Sequence, residues 1–320
     1  TAIGIEREKN ALGYSVQEIR SEQLTEAREV NVVNSLKGKV AGVHINPTSG
    51  GPGGSSYIVI RGNSSLTGNN QPLFVVDGVP IDNNTYDASD GFTGFDYGDG
   101  IGNLNPDDIA NISVLKGPSA ASMYGARGAN GVILITTKTG KKGKGIGVDI
   151  NSNYTFENAN VNPTFQNMWG GGYDHDYRAF STEIVDGQEV LVWPAWMLDQ
   201  WGGRMDGRPI KYEYAPEFGI VPYSPQPADN IENFYRTGTT FTNTVAIGGA
   251  NDKSSFRLSF SDLRNESIVP NSSLDRQSIN LRASQQVSDK LFVHGKISYT
   301  RQEGNNRQQN GISFTSLQSS

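Results

Sequence analysis

The chain has 320 residues and no cysteine, and its 27 Lys plus Arg against 33 Asp plus Glu give a net charge of −6. Disulfides and thiolate metal sites are therefore excluded, and a mildly acidic balance argues against general nucleic-acid binding, which needs a basic footprint. No run approaches the roughly 18 apolar residues of a membrane-spanning helix. A mean hydropathy of −0.48 suits a water-soluble protein, but transmembrane β-barrels alternate apolar and polar residues and average low as well.

Residues 1–20 contain Gly4 and Gly13 and no sustained period, which reads as an unstructured start; no secretory leader opens the chain, so Thr1 reads as a mature or truncated beginning. From Ser21, a residue able to cap a first turn, Val32, Leu36 and Val40 recur at i, i+4 and i+8 and predict a helix ended by Gly42. Val43, His44 and Ile45 start a short strand, in which His44 has no neighbours of metal-ligand type. The Gly/Ser/Pro loop 47–56 leads into a strand rather than a helix, so it is no phosphate cradle.

The organising stretch is 57–138. Apolar strand runs are expected at 57–62, 72–80, 112–118 and 131–138, with a small-residue helical segment over 119–128, which together read as a compact α+β unit. Between them, 82–108 carries Asp82, Asp87, Asp90, Asp96, Asp99, Asp107 and Asp108 among Tyr86, Phe92, Phe95 and Tyr97. Calcium suits carboxylates on a flexible loop, but the spacing of a known calcium loop and its closing Glu are missing, and an exposed acidic loop is the stronger expectation. Asn105-Pro106-Asp107-Asp108 is a helix start, with Asn as cap, Pro first and acids on the positive end of the dipole. Ser113 to Lys116 and Lys138-Thr139-Gly140 imitate S-x-x-K and K-T-G of penicillin-recognising enzymes. Ser113 lies in a strand-like run and no S-x-N motif separates the two, so the match is chance. No nucleophile–base–orienter set is present, and no catalytic residue or metal site is expected.

Lys138, Lys141, Lys142 and Lys144 with Gly140, Gly143, Gly145 and Gly147 form a basic flexible linker, after which a period of two sets in. Ile146, Val148, Ile150, Tyr154 and Phe156 share a face; so do Phe241, Val245 and Ile247; Phe256, Leu258 and Phe260; Ile279, Leu281 and Ala283; and Leu291, Val293, Ile297 and Tyr299. Asp149, Arg257, Arg282, His294 and Lys296 all fall on the opposite face. Each run is close to the ~9–11 residues that carry a tilted strand through a bilayer. Connections alternate between short (249–253, 286–290) and long (263–275, 157–239), as in outer-membrane barrels. On this reading Arg257, Arg282, His294 and Lys296 face the lumen and pair with acids of the preceding domain or of the barrel.

The residues Arg61, Gly62, Asn69, Asn70, Asp77, Gly78, Lys116, Gly117 and Pro118, in their runs 61–66, 68–82 and 112–138, carry a dense and ordered resemblance to SusC/RagA-like TonB-dependent outer-membrane transporters. The resemblance implies an α+β plug domain (21–140) followed by a linker and about five strands (141–320) of a large antiparallel transmembrane β-barrel, which has 22 strands in this class. About five strands leave an open edge that lipid does not tolerate, so the chain reads as roughly the front third of a longer protein.

It further implies that residues 1–20 follow the TonB box, with Thr1, Ala2, Ile3, Gly4 and Ile5 as its tail. TonB with ExbB-ExbD, outer-membrane lipid, a SusD-like surface lipoprotein lid and a glycan or peptide substrate are the implied partners, in a two-fold assembly of transporter and lid, with the plug facing the periplasm. Tyr86, Phe92, Phe95 and Tyr97 would then belong to a substrate-facing plug loop. Trp169, Trp193, Trp196 and Trp201, all in the long loop 157–239, are open to three readings: lid contact, substrate contact, or packing within the loop. Two alternatives stand beside import of a large nutrient: a receptor for a small metal chelate or cobalamin, and a soluble all-β binding or adhesion module.

Overall fold

A computed structural model describes residues 16–26, 28–48, 50–66, 69–83, 96–116, 124–143, 145–160, 166–172, 176–177, 180–194, 201–225 and 230–307. The chain divides into two compact units, one formed by 1–157 with 237–311 and the other chiefly by 158–236.

The first unit opens with β1 (Val16–Arg20) and the short helix α1 (Ser21–Glu26). β2 (Val43–Pro47) and β3 (Ser56–Ile60) form an antiparallel pair. β4 (Leu73–Val76), β5 (Val79–Ile81), β6 (Ile109–Leu115) and β7 (Val132–Thr137) join β1 in a five-stranded sheet of order β1-β6-β7-β4-β5. β7 is central, antiparallel to β6 and parallel to β4. Its unbroken apolar run serves both faces, as expected for a strand covered on two sides. Ile133 and Ile135 enter the main core with Leu24, Val32, Leu36, Ile58, Phe74, Ile101 and Ile112, while Val132 and Leu134 pack with Val75 and Leu115 on the other side. Each such side chain contributes about 1.5–3 kcal/mol on burial, so this core holds the domain.

Three expectations change here. The helix foreseen from Ser21 to Gly42 is six residues long. Beyond it, Val32, Leu36 and Val40 are buried, but on a path of turns and a 3-10 segment, Asn34–Leu36. Asn31 accepts the Val33 amide in an Asx-type turn, Ser35 donates to the Val32 carbonyl, and Gly38 and Gly42 take φ of +75° and +70°. These local bonds compete with the helical ladder. The run 72–80 is a hairpin rather than one strand: Val76 pairs with Val79, and Asp77 (φ +50°) and Gly78 (φ +88°) form the two-residue turn that Asp-Gly favours. The acidic loop is not simply exposed, because Asp96, Asp99, Asp107 and Asp108 are buried. The Asn105 cap stands as expected, accepting the Asp107 amide at 3.1 Å with Pro106 first, though the helix it starts is one 3-10 turn, Pro106–Asp108. Of the segment 119–128, only its end is described, with a 3-10 turn at Gly125–Gly128.

The same unit continues with β8 (Gly147–Glu157), β13 (Gly238–Ala250), β14 (Ser254–Glu266), β15 (Ser273–Ser288) and β16 (Leu291–Asn305), in an antiparallel sheet of order β16-β15-β14-β13-β8. The period of two holds. Along β13 and β14, Thr240, Thr242, Thr244, Arg257, Ser259 and Ser261 are buried, whereas Phe241, Val245, Ile247, Leu258 and Phe260 are exposed. These strands run from 11 to 16 residues, long enough to cross a bilayer. No helix among the described residues is long and apolar enough to do so.

The second unit is more than a loop. β9 (Ser181–Val185), β10 (Gln188–Trp193), β11 (Pro209–Tyr212) and β12 (Ile220–Pro222) form a sheet of order β12-β11-β10-β9, followed by the short helix α2 (Asn230–Phe234). Phe180, Ile210 and Tyr223 are buried at its centre, with Tyr177, Trp193 and Tyr212 packed around them. The Phe180, Trp193 and Tyr223 rings meet edge to face at 5.5–5.7 Å, a favoured aromatic geometry.

Candidate functional site: the plug against the strand wall

The inward face of β13–β16 is lined by hydroxyl side chains and a few cations, and it meets the acids of the first domain. Asp77, half-buried on the hairpin turn, is the most connected. Its Oδ1 accepts the Thr137 amide (2.9 Å) and Arg282 Nη1 (2.9 Å), and its Oδ2 accepts the Thr137 hydroxyl (2.7 Å) and Lys296 Nζ (2.8 Å). Arg282 Nη1 also reaches the Thr137 carbonyl at 2.8 Å. One carboxylate thus fastens the β4–β5 turn to the end of β7 and to two wall strands. Burial alone raises the Asp77 pKa, but the Lys296 ammonium and the Thr137 donors outweigh it and hold the group below the usual carboxylate range.

Asp107 and Asp108 divide their work. Asp107 takes both terminal nitrogens of Arg28, at 2.6 and 2.8 Å, with side chains 7% and 9% exposed, and accepts Thr244 Oγ1 from β13 at 2.7 Å. Burial raises its pKa, but Arg28 and Thr244 together carry it below the usual range. Asp108 accepts Arg257 Nη1 from β14 at 2.5 Å and Asn280 Nδ2 from β15 at 2.7 Å. The sequence reading of both as structural, and of Arg257, Arg282 and Lys296 as partners of the first domain's acids, matches this geometry. His294 is exposed.

A second joint was not legible beforehand. Arg276 of β15, 4% exposed, donates to the carbonyl oxygens of Gly102 and of Val30, the latter at 2.6 Å, clamping two plug loops to the wall without a carboxylate. Beside it, Asp99 accepts the amides of Ser56 (3.0 Å) and Gly102 (2.7 Å) and Asn31 Nδ2 (3.1 Å), and burial still pushes its pKa up. Asp96 accepts the Thr48 hydroxyl, the Ser55 amide and hydroxyl, and the Gly98 amide; burial raises its pKa, yet these donors keep it low. Among the described residues no group of three His, Asp or Glu is placed to hold a metal ion; Asp87 and Asp90 lie outside them.

The remaining plug residues singled out by sequence hold backbone. Arg61 (φ +62°) and Gly62 (φ +92°) turn the chain after β3, with the Arg61 amide donating to the Gly42 carbonyl. Asn70 Oδ1 accepts the amides of Ser64 and Ser65, each at 2.9 Å, and its Nδ2 returns to the Ser65 carbonyl, while Asn130 Nδ2 donates to the Asn69 carbonyl. Lys116 Nζ donates to Gln17 Oε1 of β1 and to the Ala41 carbonyl, tying three segments. Gly140 fixes the linker onto the wall: a Cβ there would lie 2.2 Å from the Gly249 carbonyl oxygen and 2.4 Å from that of Phe256. Thr1 to Ile5, Gly117, Pro118, Tyr86, Phe92, Phe95 and Trp196 lie outside the described residues. Tyr97 is exposed; within the second unit Trp193 packs in the aromatic cluster, Trp169 is 37% and Trp201 66% exposed.

Residues 8–132 match the family model of the TonB-dependent Receptor Plug Domain. The TonB-dependent receptor SusC of Bacteroides thetaiotaomicron is 31% identical over 278 residues, which is 86% of this chain and 23% of that protein. The Ferric enterobactin receptor PirA of Pseudomonas aeruginosa is 33% identical over 133 residues, 41% of this chain and 17% of that one. Among solved structures, that of the RagAB peptide importer in its closed-closed state shares the fold over 93% of this chain and 31% of its own, with a TM-score of 0.66 at 22% identity. The chain spans less than a third of the length of each. The chain is a relative of the TonB-dependent receptor SusC, carrying the plug domain followed by strands of the barrel.

Proposed function

We propose that this chain is the plug and part of the wall of an energised importer that carries a large nutrient, a peptide or glycan, across the outer membrane. The observation that carries the reading is how far the relatives match. SusC aligns with plug, wall strands and the 158–236 unit alike, whereas the enterobactin receptor aligns over a plug-sized stretch. Siderophore and enterobactin receptor structures cover a similar share of the chain, but with TM-scores of 0.51 and 0.53 against 0.66 for the RagAB peptide importer, and that closer likeness favours a large nutrient over a small metal chelate or cobalamin.

On this reading the plug floors a cavity beneath a surface lipoprotein lid, two transporters and two lids assemble together, and the plug faces the periplasm. TonB, powered through ExbB-ExbD, grips the segment before β1 and remodels the plug. β1 suits that role: among the described strands it is an edge strand whose ladder is to β6 alone, so force applied at Val16 has one ladder to break. The plug is then a two-state element, biased by ligand on one side and force on the other. No bond is made or broken in the cargo.

The test is uptake. A deletion strain complemented with the native gene is offered labelled oligopeptides, oligosaccharides, ferric siderophore and cobalamin, with the lid measured by co-purification. Energy-dependent uptake of a peptide or glycan together with a co-purifying lipoprotein supports the proposal. Uptake confined to a metal chelate or cobalamin overturns it.

A further inference from the structure

Three inward residues of the wall stand directly opposite one another across neighbouring strands, and all three are cations: Arg257 pairs with Arg282, and Arg282 with Lys296. Like charges so placed destabilise a sheet unless something between them compensates. Asp108 and Asp77 compensate in part, through the bonds to Arg257 and to Arg282 and Lys296. Around the small cavity these side chains enclose, Lys138 adds a fourth cation, and its ammonium has no ion pair or hydrogen bond among the described residues. Asp107, the next carboxylate, is occupied by the bidentate Arg28. Four cations line the cavity (Lys138, Arg257, Arg282, Lys296), answered by Asp108 in its lining and by Asp77 bonded to Arg282 and Lys296, which leaves an excess of two positive charges at a half-buried junction.

We propose that this cavity is a binding site for one small inorganic anion of chloride size, seated between plug and wall beside Lys138. The cavity offers about 20 Å³, room for a water-sized particle. Asn280 and Ser298 supply further polar lining. Burial and the neighbouring Arg257 hold the Lys138 ammonium below the ordinary lysine range despite the attraction of Asp107 and Asp108, and Lys141 acts in the same direction as Arg257. A bound anion would relieve that strain. It would also screen the repulsion along the Arg257–Arg282–Lys296 row and so add an ionic cement to the seated plug. The inference rests on plug–wall geometry and is independent of which nutrient is carried.

The test uses the native protein, purified in detergent and crystallised from sodium bromide. An anomalous bromide peak within hydrogen-bond distance of Lys138 Nζ, absent in Lys138→Met and retained in Lys138→Arg, is the expected result. In solution, the unfolding temperature of the wild type should be higher in chloride than in isethionate at equal ionic strength, a difference lost in Lys138→Met. A wild-type map without bromide at the cavity overturns the site. So does a peak that persists in Lys138→Met, or a halide effect equal in both proteins.

Discussion

Asp77→Asn isolates the charge that fastens the β4–β5 hairpin to the wall. Asparagine keeps the size and tolerates the left-handed backbone (φ +50°) of the turn, so the substitution removes charge without forcing a new turn. It weakens two charge-assisted contacts, to Arg282 and Lys296, each worth about 1.5–3 kcal/mol when well shielded. Those partner side chains are 28% and 27% exposed, and screening by water reduces the loss to about 2–3 kcal/mol in total. At about 1.4 kcal/mol per factor of ten, amide hydrogens of β4, β5 and the end of β7 should exchange about 30- to 150-fold faster, read peptide by peptide by mass spectrometry on the native protein in detergent. The folded pKa of Asp77 is lowered, so its contribution is present above the unfolded value of about 3.9. It is lost as pH falls through the folded value; below that point mutant and wild type should converge. Unchanged hairpin exchange at neutral pH in Asp77→Asn would refute the fastening role.

Asp99 has the opposite sign. Its folded pKa is raised, chiefly by burial, so its contribution is complete below about 3.9 and declines as pH rises through the folded value. Protection of the Ser56 and Gly102 amides should therefore weaken over that rise in wild type, and Asp99→Asn should flatten the dependence. Arg28→Gln leaves the buried Asp107 carboxylate without its bidentate partner and should cost about 3–5 kcal/mol locally, read as faster exchange in α1 and the Pro106–Asp108 turn; equal exchange would remove Arg28 from the plug's anchorage. Asn70→Ala strips three hydrogen bonds, two amides on Oδ1 and one donated by Nδ2, about 3 kcal/mol at roughly 1 kcal/mol per bond, and limited proteolysis should then cut within 61–71. Trp193→Ala opens the aromatic cluster of the second unit at a cost of about 3 kcal/mol, and should make 158–236 protease-sensitive while leaving the plug's exchange unchanged.

The alternation of apolar and polar residues determined much of this protein without help. Phe241, Val245 and Ile247 against Thr240, Thr242 and Thr244 can satisfy only a strand with two unlike faces, and the cations had to lie on the polar one. The Asn105-Pro106 cap was equally legible, because it is satisfied within three residues. The plug's signature residues were visible as a pattern, but their work was not: Asn70 and Lys116 act on backbone groups of other segments, and nothing in their neighbours along the chain shows this. Asp77-Gly78 is a hairpin signal by itself, obscured here by apolar residues on both sides that imitate one continuous strand. Helical spacing at Val32, Leu36 and Val40 misled for a related reason, since burial selects apolar residues whether the path is a helix or a series of turns.

Only the tertiary structure decided which charge meets which. Asp77 and Lys296 are separated by 219 positions, and Arg276 and Val30 by 246; sequence supplies the charge and the face, while distance is a property of the fold. The burial of Asp96 and Asp99 belongs to the same class. A Gly-rich acidic stretch is read as exposed because burying a carboxylate is costly. These two are buried because the amides of Ser55, Ser56, Gly98 and Gly102 and the hydroxyls of Thr48 and Ser55 converge on them, donors that come together only once the plug has folded.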